Sequence, residues 1–221
     1  MLLSPNLQGA LRVTHHINLA EHRDAALAAN HSPHNVHDHL QHLAVADLQA
    51  VSRADRLPWH SCFINVTGDL NVGTMIRTSH CLGAASVTIF GRRRFDRRGL
   101  VGSANYIQVD QVEGMLDDVT VDRHAFYKLV HLRRWIPVFV ETGGYPLSEV
   151  NWHRVKEDAV PLGYEICLVM GNETGGIPQD ILQDRFGFVV SIPQRGVIRS
   201  MNVSTAHAVV ASAMCAALGW M

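Results

Sequence analysis

From residue 61 onward, short apolar runs alternate with stretches of helical periodicity. The runs at 62–66, 86–90, 136–140, 166–170 and 188–192 read as strands. Between and after them, 72–82, 124–134, 179–182 and 202–218 carry helical spacing. In the first of these, Val72, Met75, Ile76 and Ser79 fall near one face; the last is long and built from small residues. Strands alternating with helices predict a mostly parallel α/β sheet. Residues 1–58 read differently, with few strand formers and no aromatic residue before Trp59. Two helices are expected there, at 19–30 with Asn30 as its stop and at 38–54 with Leu40, Leu43, Leu48 and Val51 near one face. Pro33 separates them. The expected organisation is a helical N-terminal extension, 1–58, followed by one α/β domain, 59–221.

Composition narrows the class. The chain has 221 residues, 47% hydrophobic and 18% charged, enough for a real core and against wholesale disorder. No apolar run reaches the roughly 18 residues of a membrane span, and residues 1–10 lack the basic start of a secretory signal. The four cysteines, Cys62, Cys81, Cys167 and Cys215, form no CxxC pair, so a disulfide framework is not expected and a reducing cytoplasm fits best. Net charge is −1, which argues against a strongly basic coat. Yet the only lysines are Lys128 and Lys156; arginine carries the positive charge, and Arg92, Arg93, Arg94, Arg97 and Arg98 crowd one short segment. Arginine's planar fork suits phosphate and stacks on bases. Such a run, by itself, reads as a solvated loop. Histidines 31, 34, 37, 39 and 42 invite a metal reading, but Pro33 breaks their spacing, and no metal site is expected. His80 and His207 read as packing residues.

The usual nucleotide and hydrolase signatures, GxGxxG, GxxxxGK[ST] and GxSxG, are missing. Three other segments stand at strand-to-helix junctions. The first runs from Asn71 through Gly73 to Arg77. Here Asn71 suits a helix cap, and Arg77 is a cation one turn in. The second runs from Gly171-Asn172-Glu173 to Gly175-Gly176 after an apolar strand, where ligands of open α/β sheets gather. The third is Ile192-Pro193, Gly196, Ser200-Met201-Asn202-Val203. Taken singly, each also reads as an ordinary capped turn.

Taken together, the three resemble the motifs of the SpoU/TrmH branch of the SPOUT (α/β-knot) RNA methyltransferases: Asn-x-Gly-x-x-x-Arg, Gly-Asn-Glu-x-x-Gly and Ile-Pro-x-x-Gly-x-x-x-Ser-Leu-Asn-Val, with Met201 in place of the usual Leu. The resemblance covers about 61–218 and leaves the N-terminal segment outside. It implies a Rossmann-like sheet with a C-terminal deep trefoil knot, binding of S-adenosyl-L-methionine (AdoMet) in the knot, a homodimer, and methylation of a ribose 2′-hydroxyl in tRNA or rRNA. Carried over by position, Arg77 matches the catalytic arginine and Asn71 the asparagine that supports it. Glu173 matches the acid of the second motif, and Ser200 and Asn202 the polar pair of the third. Cofactor contacts are implied for Thr142, Gly171, Ile192, Ser200 and Met201. RNA contacts are implied for Arg77 and suggested for the Arg92–Arg98 run. Alternatives are a homologue that binds RNA without catalysis, a knotted methyltransferase acting on a base or protein, and an unrelated small-molecule enzyme.

Overall fold

The computed structural model describes residues 13–16, 35–91, 100, 102–117, 120–184 and 186–221. The helix expected at 19–30 and the arginines at 92–94, 97 and 98 lie outside them.

Two apolar runs form the centre of the sheet. They are β2 (Leu57–Ile64) and β6 (Glu165–Met170), paired in parallel from Trp59↔Ile166 to Phe63↔Met170. Both are covered on both faces, which is why each reads as a continuous apolar run. Outward on one side lie β3 (Ala84–Phe90) and β4 (Gln108–Val112); on the other lie β5 (Trp135–Pro146) and β7 (Phe188–Ser191). These six strands are parallel. A seventh, β1 (Val13–His16), pairs antiparallel with β4 at the edge, so the segment read as helical also holds a strand. The expected division at 58/59 falls inside β2.

Helices cover both faces. On one lie α2 (Asp69–Cys81), α4 (Trp152–Ala159) and α6 (Val203–Ala217), where Met75, Ile76, Val210 and Met214 pack on Phe63 and Leu168. On the other lie α3 (Arg123–Arg133) and α5 (Gln179–Leu182), where Phe126, Leu129 and Ile181 pack on Phe139 and Val169. The stretch expected as one helix at 38–54 is a 3-10 turn, Asp38–Leu40, followed by α1 (Val45–Ala54). Helix α1 lays Val45 and Leu48 against Tyr106, and its Gln49 and Ser52 donate to the carbonyls of Asn105 and Tyr106.

Two elements escaped the pattern for physical reasons. Strand β4 carries Gln108, Asp110 and Gln111 where an apolar run would be expected. Asp110 is nonetheless fully buried, held by Arg133 at 2.7 Å and Gln108 at 3.0 Å. Helix α4 is only two turns long; Asn151 caps it through Arg154 N at 3.0 Å, and its buried stripe is Trp152 and Ala159.

The carboxyl ends of β2, β5, β6 and β7 lie along one edge of the sheet. The loops that follow them meet there, as expected for ligand sites in open parallel sheets.

Candidate active site

The loop after β6 projects Glu173 across to the start of α2. Its carboxylate accepts from Thr67 N (2.9 Å), Thr67 Oγ1 (3.1 Å), Gly68 N (2.8 Å) and Asn71 Nδ2 (2.8 Å). A carboxylate at a helix start meets unpaired N–H groups and the positive end of the dipole. Burial alone would raise its pKa; the hydrogen bonds from Asn71, Thr67, its own backbone and Gly68 outweigh that and bring it down to about 2. It is therefore an anion and an acceptor at neutral pH. Gly68 leaves room for this contact, since a Cβ there would lie 2.7 Å from Glu173 Oε1 and from Asn71 Nδ2.

Asn71 does not cap its helix, contrary to the sequence reading. The cap position is Gly68, which has no side-chain cap, and Asn71 sits within the first turn. Its side chain is turned outward to bridge two other loops: Nδ2 donates to Glu173, and Oδ1 accepts from Asn202 Nδ2 at 3.1 Å. Asn202 in turn is the N-cap of α6. Its Oδ1 accepts from Ser204 N (2.9 Å), Ser204 Oγ (2.6 Å) and Thr205 N (3.2 Å). One polar chain thus runs Glu173–Asn71–Asn202 and joins all three sequence motifs.

Behind it opens a cleft of about 830 Å³, within the usual range for small-ligand sites of roughly 300–1,000 Å³. Thr142, Gly171, Glu173, Ile192, Ser200, Met201 and Asn202 all line it. Met170, Val140 and Val203 supply apolar wall, and Arg199 a cation. Gly171 is required by packing: a Cβ there would stand 2.3 Å from Gly176 C and 2.4 Å from Ile177 N. Asn172 shapes the same loop. Its Nδ2 donates to Asn65 O at 2.8 Å, and its Oδ1 accepts from Thr174 N and Gly175 N.

Arg77 is not gathered with the others. Six residues beyond Asn71, it stands roughly 9 Å along the helix and about 120° around it. Arg77 is exposed, lines a different cavity and makes no hydrogen bond to another described residue. His207 is a core residue: Nε2 lies 2.9 Å from Ser61 Oγ and 3.4 Å from Ser79 Oγ, and burial lowers its pKa to about 3.

Glu141 is the cleft residue that the sequence reading missed. It follows the apolar stretch of β5, and its Oε2 accepts from Ile177 N at 3.1 Å while Oε1 accepts from Thr142 N at 2.9 Å. It therefore ties the loop after β5 to the loop after β6. The signal was present as Glu-Thr-Gly-Gly after an apolar strand, the same grammar as Gly-Asn-Glu after β6.

Residues 62–212 match the model of the SpoU rRNA methylase family. No curated protein matches the chain. Among solved structures, an AdoMet-bound rRNA methyltransferase from Sinorhizobium meliloti superposes with a TM-score of 0.58 at 18% identity, over 77% of this chain and 60% of that one. A TrmH/SpoU tRNA-modifying enzyme of A. aeolicus gives 0.60 at 18% identity, over 80% and 84%. The SpoU methyltransferase AviRb of Streptomyces viridochromogenes, in complex with AdoMet, gives 0.55 at 21%, over 72% and 57%. The chain thus spans only about three fifths of the length of the Sinorhizobium and Streptomyces proteins.

Proposed function

The chain belongs to the SpoU rRNA methylase family, and from that premise we propose that it is an AdoMet-dependent methyltransferase acting on a ribose 2′-hydroxyl of tRNA or rRNA. The observation that carries this reading is the Glu173–Asn71–Asn202 chain at the mouth of the cleft, where three motifs far apart in sequence become one polar unit.

The cleft fits the cofactor. Its apolar wall suits an adenine, and Gly171, by letting the loop after β6 fold directly onto Gly176 and Ile177, sets the shape of that wall. Thr142, Gly171, Ile192, Ser200 and Met201 would hold the cofactor, whose sulfonium supplies an electrophilic methyl group. The path of the chain from edge strand β7 back to α6, beside α2, supports the knotted arrangement of the family.

The chemistry left to the protein is activation of a weak nucleophile. A ribose hydroxyl must lose its proton as the new bond forms. Arg77, with a free guanidinium, is a poor base but a good stabiliser of a developing alkoxide. We assign it that role, with an RNA phosphate as proton acceptor. Asn71 and Glu173 act as positioning residues through Asn202. Because Arg77 faces away from the cleft of its own chain, a second copy supplies it, and the working unit is a homodimer. Leu70, Val197 and Ile198, all exposed beside the site, give that copy an apolar surface to cover. The Arg92–Arg98 run adds backbone contacts to RNA. The four cysteines are free thiols, which fits a cytoplasmic protein.

Calorimetry with AdoMet on ligand-stripped protein, followed by methyl transfer to bulk tRNA and rRNA, tests this reading. Micromolar binding, weakened in Asn202→Ala, is expected, together with 2′-O-methyl nucleosides on digestion. Arg77→Ala is expected to lose about 100-fold or more in rate. Methylation confined to bases, or full activity of Arg77→Ala, overturns it.

A further inference from the structure

A second cavity, of about 870 Å³, lies at the amino ends of the central strands, between α1, the C-terminal half of α2 and the chain terminus. Much of it is built by residues outside the family match: 35–57 on one side, Trp220 and Met221 on the other. Its floor is apolar, with Leu48, Leu82 and Tyr106. Above the floor stand Arg56 and His80, and Arg77 reaches the same space from the exposed face of α2.

Arg56 is the unusual member. Its Nε is buried and has no acceptor among the described residues. Neither Arg56 nor Arg77 pairs with a carboxylate among those residues. Burial and the neighbouring Arg53 both lower the pKa of Arg56, while burial and Arg56 lower that of His80, whose ring stacks on Tyr106. A buried N–H without an acceptor carries a free-energy cost. The fold bears that cost at a point where two guanidinium forks face an open cavity. An acceptor entering from outside would satisfy the group, and a phosphate is the shape the fork fits best.

We propose that this cavity seats a phosphodiester of the substrate RNA, with Arg56 as the inner contact and Arg77 at the mouth. The inference rests on the RNA reading above. Asp38 and Asp55 stand exposed at the rim, so the seat takes a single phosphate and repels a continuous backbone run.

Binding of total tRNA and of total rRNA is measured over a salt series for the wild type, Arg56→Gln, Arg56→Lys and the control Arg154→Gln. Arg154 pairs with Asp158 on the exposed face of α4, away from both cavities. Loss of one phosphate contact is expected to reduce the salt slope by about 0.7–0.9 in Arg56→Gln. Arg56→Lys keeps the charge, so it is expected to keep most of the slope with weaker affinity. The control should match the wild type, as should AdoMet affinity by calorimetry in every variant.

An unchanged slope in Arg56→Gln, with the wild type still methylating RNA, overturns the seat and leaves the catalytic reading standing. Failure of AdoMet to bind overturns the catalytic reading, while the slope still decides the seat. A wild type that binds neither RNA overturns both. Inorganic phosphate serves as a second probe by thermal shift. If it stabilises the wild type and not Arg56→Gln while the RNA slopes are equal, the site takes free phosphate and the RNA assignment falls. Should Arg56→Gln fail to fold, Arg56→Lys carries the test, and wild-type affinity and slope in that variant overturn the seat.

Discussion

Four donors converge on the carboxylate of Glu173, and all four belong to residues more than a hundred positions away in sequence. Replacement by Gln leaves one acceptor oxygen and turns an amide against the remaining N–H groups. Glu173→Gln is therefore expected to destabilise the fold by about 1–2 kcal/mol at pH 7, held to the lower end because the group is partly exposed. The pH dependence has a definite sign. The folded pKa, about 2, lies below the ordinary value of 4.5, so the stabilisation is complete above about pH 4.5 and is lost as pH falls toward 2. Urea midpoints of the wild type and Glu173→Gln should differ at pH 7 and converge near pH 2; a constant difference would place the effect elsewhere.

The loop after β6 and helix α6 are the elements that shape the cleft. At Gly171 the next loop turn is so close that a methyl group must push backbone rather than a side chain. Gly171→Ala is expected to weaken AdoMet binding by at least tenfold and lower the melting temperature by several degrees, a shift of roughly 1–2 kcal/mol for a domain of this size. Wild-type calorimetry for this variant would refute the packing argument. Helix α6 is anchored in the core by His207, which meets Ser61 and Ser79 through Nε2, while Nδ1 is buried without a partner. An unmet lone pair costs less than an unmet N–H, so the proton belongs on Nε2. Burial holds the folded pKa at about 3, against 6.5 in an open chain. The unfolded chain takes up a proton first, so this residue costs stability as pH falls below 6.5. Between pH 7 and pH 5 the loss is about 2 kcal/mol. His207→Leu is expected to flatten that part of the stability profile, as read from urea midpoints at the two pH values; an unchanged slope would mean that another group controls acid sensitivity.

At the level of the whole molecule, the cleft and Arg77 open on different sides of one chain. If two copies build the working site, two inactive variants should rescue each other. Mixing Arg77→Ala with Asn202→Ala after subunit exchange should give half heterodimers, each with one intact site. Activity should then recover to about a quarter of the wild type. No recovery would mean that each chain contributes its own arginine, or works alone. No helix among the described residues is long and apolar enough to cross a membrane, and the sheet is closed off by helices on both faces.

The sequence by itself determined the parallel core. Strands β2, β3, β5 and β6 each carry a stretch covered on both faces, and those stretches are largely apolar, which makes them visible without any structure. It also carried the three motifs and with them the likeness to the family, because each alone reads as an ordinary capped turn but the three coincide in order and spacing. Tertiary structure decided the rest. Strand β4 is polar in composition, and inside the sheet Arg133 and Gln108 both bind Asp110 Oδ2. Asn71 has the local chemistry of a cap, yet long-range partners on two other loops claim both ends of its amide. The cavity where Arg56 waits without an acceptor depends on how α1 and the chain terminus pack on α2. Hydrogen bonds across a hundred residues leave no periodicity in a sequence; the packing of the elements creates them.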